Sequence, residues 1–122
     1  MPETTVSRAR ALQSRCFDFA ADVVLATRNM TRSPEAWIVR SQLIRSATST
    51  AANYRSACRS GSRRAFVAKL SIALEEADET LFWLKFAVRL RLLPADQIQQ
   101  LAREADELVR VLAASRRTAR GR

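Results

Sequence analysis

The chain has 122 residues, 48% of them hydrophobic, which fits one domain with one modest core and excludes a disordered polymer. Only two glycines and three prolines leave few places to turn, so the elements are few and long, and abundant alanine and leucine make them helices. Twenty-one arginines and lysines against 12 acids give a net charge of +9, which favours polyanions such as RNA, DNA or an anionic membrane surface, and the absence of histidine excludes His-based acid–base catalysis and His-containing metal sites.

The first predicted helix runs from about Arg8 to Arg28. Leu12, Cys16, Phe19, Val23 and Ala26 recur at steps of four and three, which is one face of a helix. The stretch TRNMTRS then breaks the pattern. Helix two opens at SPEAW, where Ser33 caps free amides, Pro34 suits the first helical position and Glu35 complements the positive end of the dipole. Its expected stripe is Trp37, Ile44, Ala47, Ala51, Tyr54 and Cys58. The middle of this helix, SATSTAAN, holds nothing larger than Thr or Asn and reads as a close-packing surface.

Gly61 marks the next turn, as an αL residue closing helix two, and Ser62 is the expected cap of helix three. Phe66, Leu70, Ala73, Ala77, Leu81, Leu84 and Val88 then form a stripe, with the helix ending near Leu92. Pro94 ends helix three and starts helix four, where Ile98, Leu101, Ala105, Leu108 and Leu112 alternate at three and four. Residues 115–122, SRRTARGR, have nothing to bury and are expected to be disordered, with Arg116, Arg117, Arg120 and Arg122 either adding phosphate contacts or serving only as a solubilising end. The reading is an all-α, up-down-up-down antiparallel four-helix bundle, one domain spanning residues 1–122.

Two features point outward. Leu81 to Leu93, LFWLKFAVRLRLL, is apolar nearly all round, and Phe82, Trp83, Phe86, Leu90 and Leu93 remain after the core face is assigned. Phe82, Trp83, Phe86 and Leu90 are therefore the expected subunit interface. Glu75, Asp78 and Glu79 share a side of helix three and read as an acidic patch facing arginines, since di-iron bundles draw on Glu-x-x-His pairs. No Gly-rich phosphate loop or catalytic constellation is present, so a non-enzyme with no cofactor and no metal is expected. Cys16 and Cys58 lie too far apart along an antiparallel hairpin to bridge and are expected to be free thiols. No apolar run reaches the length of a membrane span, and the opening residues lack a signal-peptide core, so no membrane partner and a cytoplasmic location are expected.

QLIRSATSTAANYRSACR followed by SRRAFVAKLSIALEEADETLFWL resembles the bacterial four-helix-bundle proteins, also called 23S rRNA intervening-sequence proteins. Gln42, Leu43, Arg45, Ser46, Ala47, Asn53, Phe66, Leu70, Ile72, Ala73, Leu74, Glu79 and Leu84 fit the family's pattern. The resemblance implies an up-down bundle assembled as a homopentameric ring, with no established enzymatic activity. It also implies fold relatives that bind reverse transcriptases and nucleic acid through basic surfaces. Ser56 and Ala65 stand where the family often carries acids, so negative charge is missing around the second hairpin.

That hairpin holds Arg55, Arg59, Arg63 and Arg64, the candidate nucleic-acid-binding residues. Arg55 and Arg59 sit where cations favour the helix dipole, but Arg63 and Arg64 open helix three, where cations oppose it. A helix N-terminus flanked by arginines suits phosphate. The expected function is therefore a homo-oligomer binding RNA or DNA non-specifically through arginine clusters. The alternative is a protein-interaction scaffold with no direct nucleic-acid contact.

Overall fold

The computed structural model describes residues 4–121, which form four helices: α1 (Thr5–Thr27), α2 (Pro34–Cys58), α3 (Arg63–Arg89) and α4 (Ala95–Arg120). Each packs on the next and α4 closes against α1, giving the expected four-helix bundle. Hydroxyl caps set three of the starts. The side chains of Thr4, Ser33 and Ser62 accept from the backbone N–H groups of Ser7, Ala36 and Ala65. α4 begins on Pro94, whose fixed φ suits an entry residue but which offers no side-chain cap.

The core is built from Cys16, Phe19 and Val23 of α1, Val39, Leu43 and Tyr54 of α2, Leu70, Ala77 and Leu84 of α3, and Ile98, Leu108 and Leu112 of α4. The small middle of α2 brings it close to α3. There, buried Thr80 donates its hydroxyl toward Ser46 Oγ across the seam at 2.9 Å, and Thr50 donates to the Ser46 carbonyl at 2.8 Å. Among the described residues no buried side-chain polar atom is left without a partner.

The structure departs from the sequence reading at five places. The α2 stripe is rotated at its start: Trp37 is 66% exposed, while Ala36, Val39 and Leu43 are buried. Trp37 instead lies under the Arg40 guanidinium, 5.8 Å from the ring centroid. α3 stops at Arg89, not near Leu92, because Leu90 and Arg91 form a Schellman closure. The Arg91 N–H bonds the Val88 carbonyl and the Leu92 N–H bonds the Ala87 carbonyl, with Arg91 at φ 60°. The chain then turns inward, so Leu93, expected to face outward, is buried, and the Thr31 N–H ties the first loop to the Leu92 carbonyl. Gly61 is not αL; α2 closes on Arg59 through bonds to the Ala57 and Ser56 carbonyls.

The fifth departure is the tail. Residues expected to be disordered continue α4 through Arg120; Arg122 lies outside the described residues. Arg117 and Arg120 sit in the last turn, where cations complement the negative end of the dipole, and Arg116 Nη1 reaches Ser71 Oγ of α3 at 3.5 Å. Both cysteines are free thiols, Cys16 buried and Cys58 half-buried. No described helix is long and apolar enough to cross a membrane.

Candidate nucleic-acid interface

The antiparallel order places the starts of α1 and α3 and the ends of α2 and α4 at one end of the bundle. The ten residues of each helix nearest that end, with the 59–62 turn, carry ten arginines and lysines and no acid. The remaining described residues carry ten basic and eleven acidic side chains, close to neutrality. The excess positive charge of the described residues is therefore gathered at one end.

Within that end the four arginines expected from the sequence divide between two open depressions. Arg55 and Arg59 line one, with Ala52, Ser56, Ser60, Ala65 and Lys69. Arg63 and Arg64 line the other, with Val67, Ala119 and Arg120. Lys69 was not singled out from the sequence, and Arg120 was expected only as an added contact on a flexible tail. Lys69 lies on the turn of α3 beside the end of α2, a neighbour that only the packing reveals. Arg120 joins the site because α4 stays helical; the absence of Gly and Pro between Ala95 and Arg120 was the available signal. Among the described residues no carboxylate pairs with Arg55, Arg59, Arg64, Arg120 or Lys69.

Acidic partners are instead committed away from this end. Arg15 on α1 makes a two-pronged contact with Glu104 on α4, at 2.8 and 2.7 Å, and reaches Glu107 at 2.9 Å. The hydrogen bond to Glu104 holds the Arg15 guanidinium firmly protonated, against a smaller opposing effect of burial. Arg45 on α2 bridges to Glu76 Oε2 at 2.7 Å and to Glu79 on α3. The acidic patch expected to face arginines is thus real at Glu79, but its partner in the pair is Glu76, with Glu75 and Asp78 left exposed. Burial pushes the Glu79 carboxyl up, yet hydrogen bonds from Arg45 and the Trp83 indole outweigh it and hold the group below its ordinary range.

On the flank of α3, Phe82 is 55% and Phe86 39% exposed; Leu90 is exposed at the helix end, while Trp83 is half-buried. The three rings cluster, Phe82 edge-on to Trp83 at 4.9 Å and stacked on Phe86 at 5.7 Å. Two further exposed rings were not expected: Phe17 on α1 is 70% exposed and Trp37 on α2 is 66% exposed. Among the described residues no group of three His, Cys, Asp or Glu side chains is placed to hold a metal ion.

These features define a small four-helix bundle, charged at one end and apolar on its flanks. The family model for the 23S rRNA-intervening sequence protein matches residues 10–114, and the chain belongs to that family. A crystal structure of a protein of unknown function from the S23 ribosomal protein family of Bacteroides thetaiotaomicron VPI-5482 is similar. It is 28% identical with a TM-score of 0.79, over 86% of this chain and 97% of that one. No curated protein matches the chain. The residues that fit the family pattern cluster at the α2–α3 seam: Leu43, Ser46 and Ala47 are buried there, and Arg45 pairs with Glu79. Most of that signature is packing.

Proposed function

We propose that this protein is a non-enzymatic, homo-oligomeric bundle that binds RNA or DNA through the phosphate backbone, using its arginine-rich end. The observation that carries the reading is that, among the described residues, ten cations and no acid gather at one end of a bundle that is otherwise close to neutral. Such a surface attracts phosphate without reading bases. The absence of histidine and of a phosphate loop in the sequence supports a binding role over a catalytic one.

Self-association is supported by the ring cluster on α3 and by the exposed Phe17 on α1. Phe82 and Phe86 lie on α3 and Phe17 on α1, helices that occupy opposite corners of the bundle. Two different patches on one chain suit a head-to-tail contact, which closes into a ring when the rotation permits. Five copies is the number implied by the family resemblance. A ring would present every arginine-rich end on the same side.

The test is fluorescence anisotropy with random-sequence RNA, comparing the parent with Arg63→Ala/Arg64→Ala. The double variant is expected to bind about tenfold more weakly while keeping its helical circular dichroism, since each lost phosphate contact removes an electrostatic increment. Equal binding by parent and variant overturns the assignment of this hairpin. No RNA or DNA binding by the parent favours the scaffold reading, to which the exposed Phe82 and Trp37 are suited.

A further inference from the structure

We infer that the arginine-rich end takes double-helical nucleic acid in preference to a single strand, and that the last turns of α4 are part of the contact. The inference rests on the reading above that this end binds nucleic-acid phosphates. It goes beyond it by naming the form of the ligand and a contact element outside the hairpin.

The first ground is where the aromatic rings lie. Single strands are held largely by stacking their bases on exposed aromatic side chains. At the charged end the aromatic residues are Tyr54, which is 4% exposed, and Phe66, which is half-buried against the core. Of the well-exposed rings, Trp37, Phe82 and Phe86 lie toward the opposite end, and Phe17 lies mid-way along α1, about one turn beyond the charged stretch. The charged end thus offers phosphate partners but no stacking platform.

The second ground is charge density. Two helices side by side make the bundle end about 20 Å wide. Over that length a duplex presents about 12 phosphates and a single strand about 6. About half of the duplex phosphates face a flat surface, and the six cations of the two depressions, Arg55, Arg59, Lys69, Arg63, Arg64 and Arg120, lie in two groups as the phosphates of two strands do.

The third ground is rigidity. Helical continuation of α4 fixes Arg120 beside Arg63 and Arg64 in one depression, and Arg116 contacts Ser71 on α3. Charges held on a rigid frame meet a stiff double helix without further ordering, whereas a flexible strand must be ordered to match them. The shared ligand chemistry is the duplex phosphate backbone, available from RNA or DNA.

The experiment uses the full chain and fluorescein-labelled probes of equal length at one salt concentration. The probes are a 20-base-pair RNA duplex, the same duplex as DNA, and unstructured oligo-U and oligo-dT single strands. At least one duplex is expected to bind about tenfold more tightly than either single strand. Single strands binding as tightly as both duplexes overturn the inference while leaving phosphate binding intact. Failure of every probe to bind removes the parent reading as well.

A pair of variants tests the α4 contact. Arg117→Gln/Arg120→Gln is expected to lose about fivefold in duplex affinity and to lower the salt slope by about two contacts. Arg28→Gln/Arg32→Gln, with the same change in charge at the opposite end, is expected to stay within about twofold of the parent. A tail variant that binds as tightly as the parent, or a control that loses as much as the tail variant, overturns the role of α4.

Discussion

Arg91 holds a backbone conformation, φ 60°, that L-residues with a side chain adopt at a cost, and it does so to close α3. Glycine is the usual residue at that position. Arg91→Gly is expected to stabilise the fold by up to about 1 kcal/mol, read as a rise of a few degrees in Tm, with no change in oligomeric state. Gly61 shows the opposite mismatch. Its φ is not positive, and a Cβ added there meets nothing within 4 Å. Gly61→Ala is therefore expected to leave Tm unchanged or raise it slightly, because it restricts the unfolded chain; a marked fall would show that the turn needs glycine. The thiols differ in the same local way. Burial pushes the Cys16 thiol up to about 12, and the side chain is fully enclosed. Burial, with a hydrogen bond to Cys58, also raises the Tyr54 phenol above its ordinary range. In the folded protein at pH 8, iodoacetamide is expected to label the half-buried Cys58 well before Cys16, as peptide mass mapping would show.

Between elements, the α2–α3 seam concentrates polar contacts that the rest of the core lacks. Thr80→Val removes the donor that faces Ser46 Oγ and is expected to cost about 1 kcal/mol in urea unfolding. Adding Ser46→Ala should recover part of that loss, because without Thr80 the Ser46 hydroxyl keeps only its long 3.5 Å bond to the Leu43 carbonyl; strict additivity would show that the two do not interact. The same seam sets a pH dependence. The Glu79 carboxyl is held below its ordinary range when folded, so its contribution is present above the unfolded carboxylate pKa and is lost as pH falls through the folded one. Between pH 7 and pH 3 the parent should lose more Tm than Glu79→Gln does. The helices themselves were legible in the sequence because capping hydroxyls at Ser33 and Ser62 and regular apolar spacing in α1, α3 and α4 are local signals. The rotation at the start of α2 was not, since Trp37 fits an apolar stripe as well as Val39 does and only the neighbouring helices choose between them. The end of α3 was hidden for a related reason: its αL position is filled by arginine, which carries no turn signal. Of the candidate site, the four hairpin arginines were visible as a cluster, whereas Lys69 and Arg120 join it only through packing.

At the scale of the whole molecule, charge and apolar surface are segregated, with cations at one end and exposed rings along the flanks. Phe82→Lys/Phe86→Lys places charge on the α3 flank without touching the core and is expected to reduce the oligomer to monomers. Light scattering would show this as a fall from about five times 13.7 kDa, the size the ring account requires, to 13.7 kDa. A parent protein that is already monomeric at micromolar concentration would contradict the assembly account. The central claim is that the arginine-rich end engages nucleic-acid phosphate. Its most direct test is the affinity of the intact protein for random-sequence RNA as salt is raised from about 50 to about 200 mM. The account predicts that log affinity falls linearly with log salt concentration, losing at least about 100-fold over that range as several phosphates are neutralised and their counterions released. Affinity that is insensitive to salt, or no binding even at the lowest salt, would contradict it.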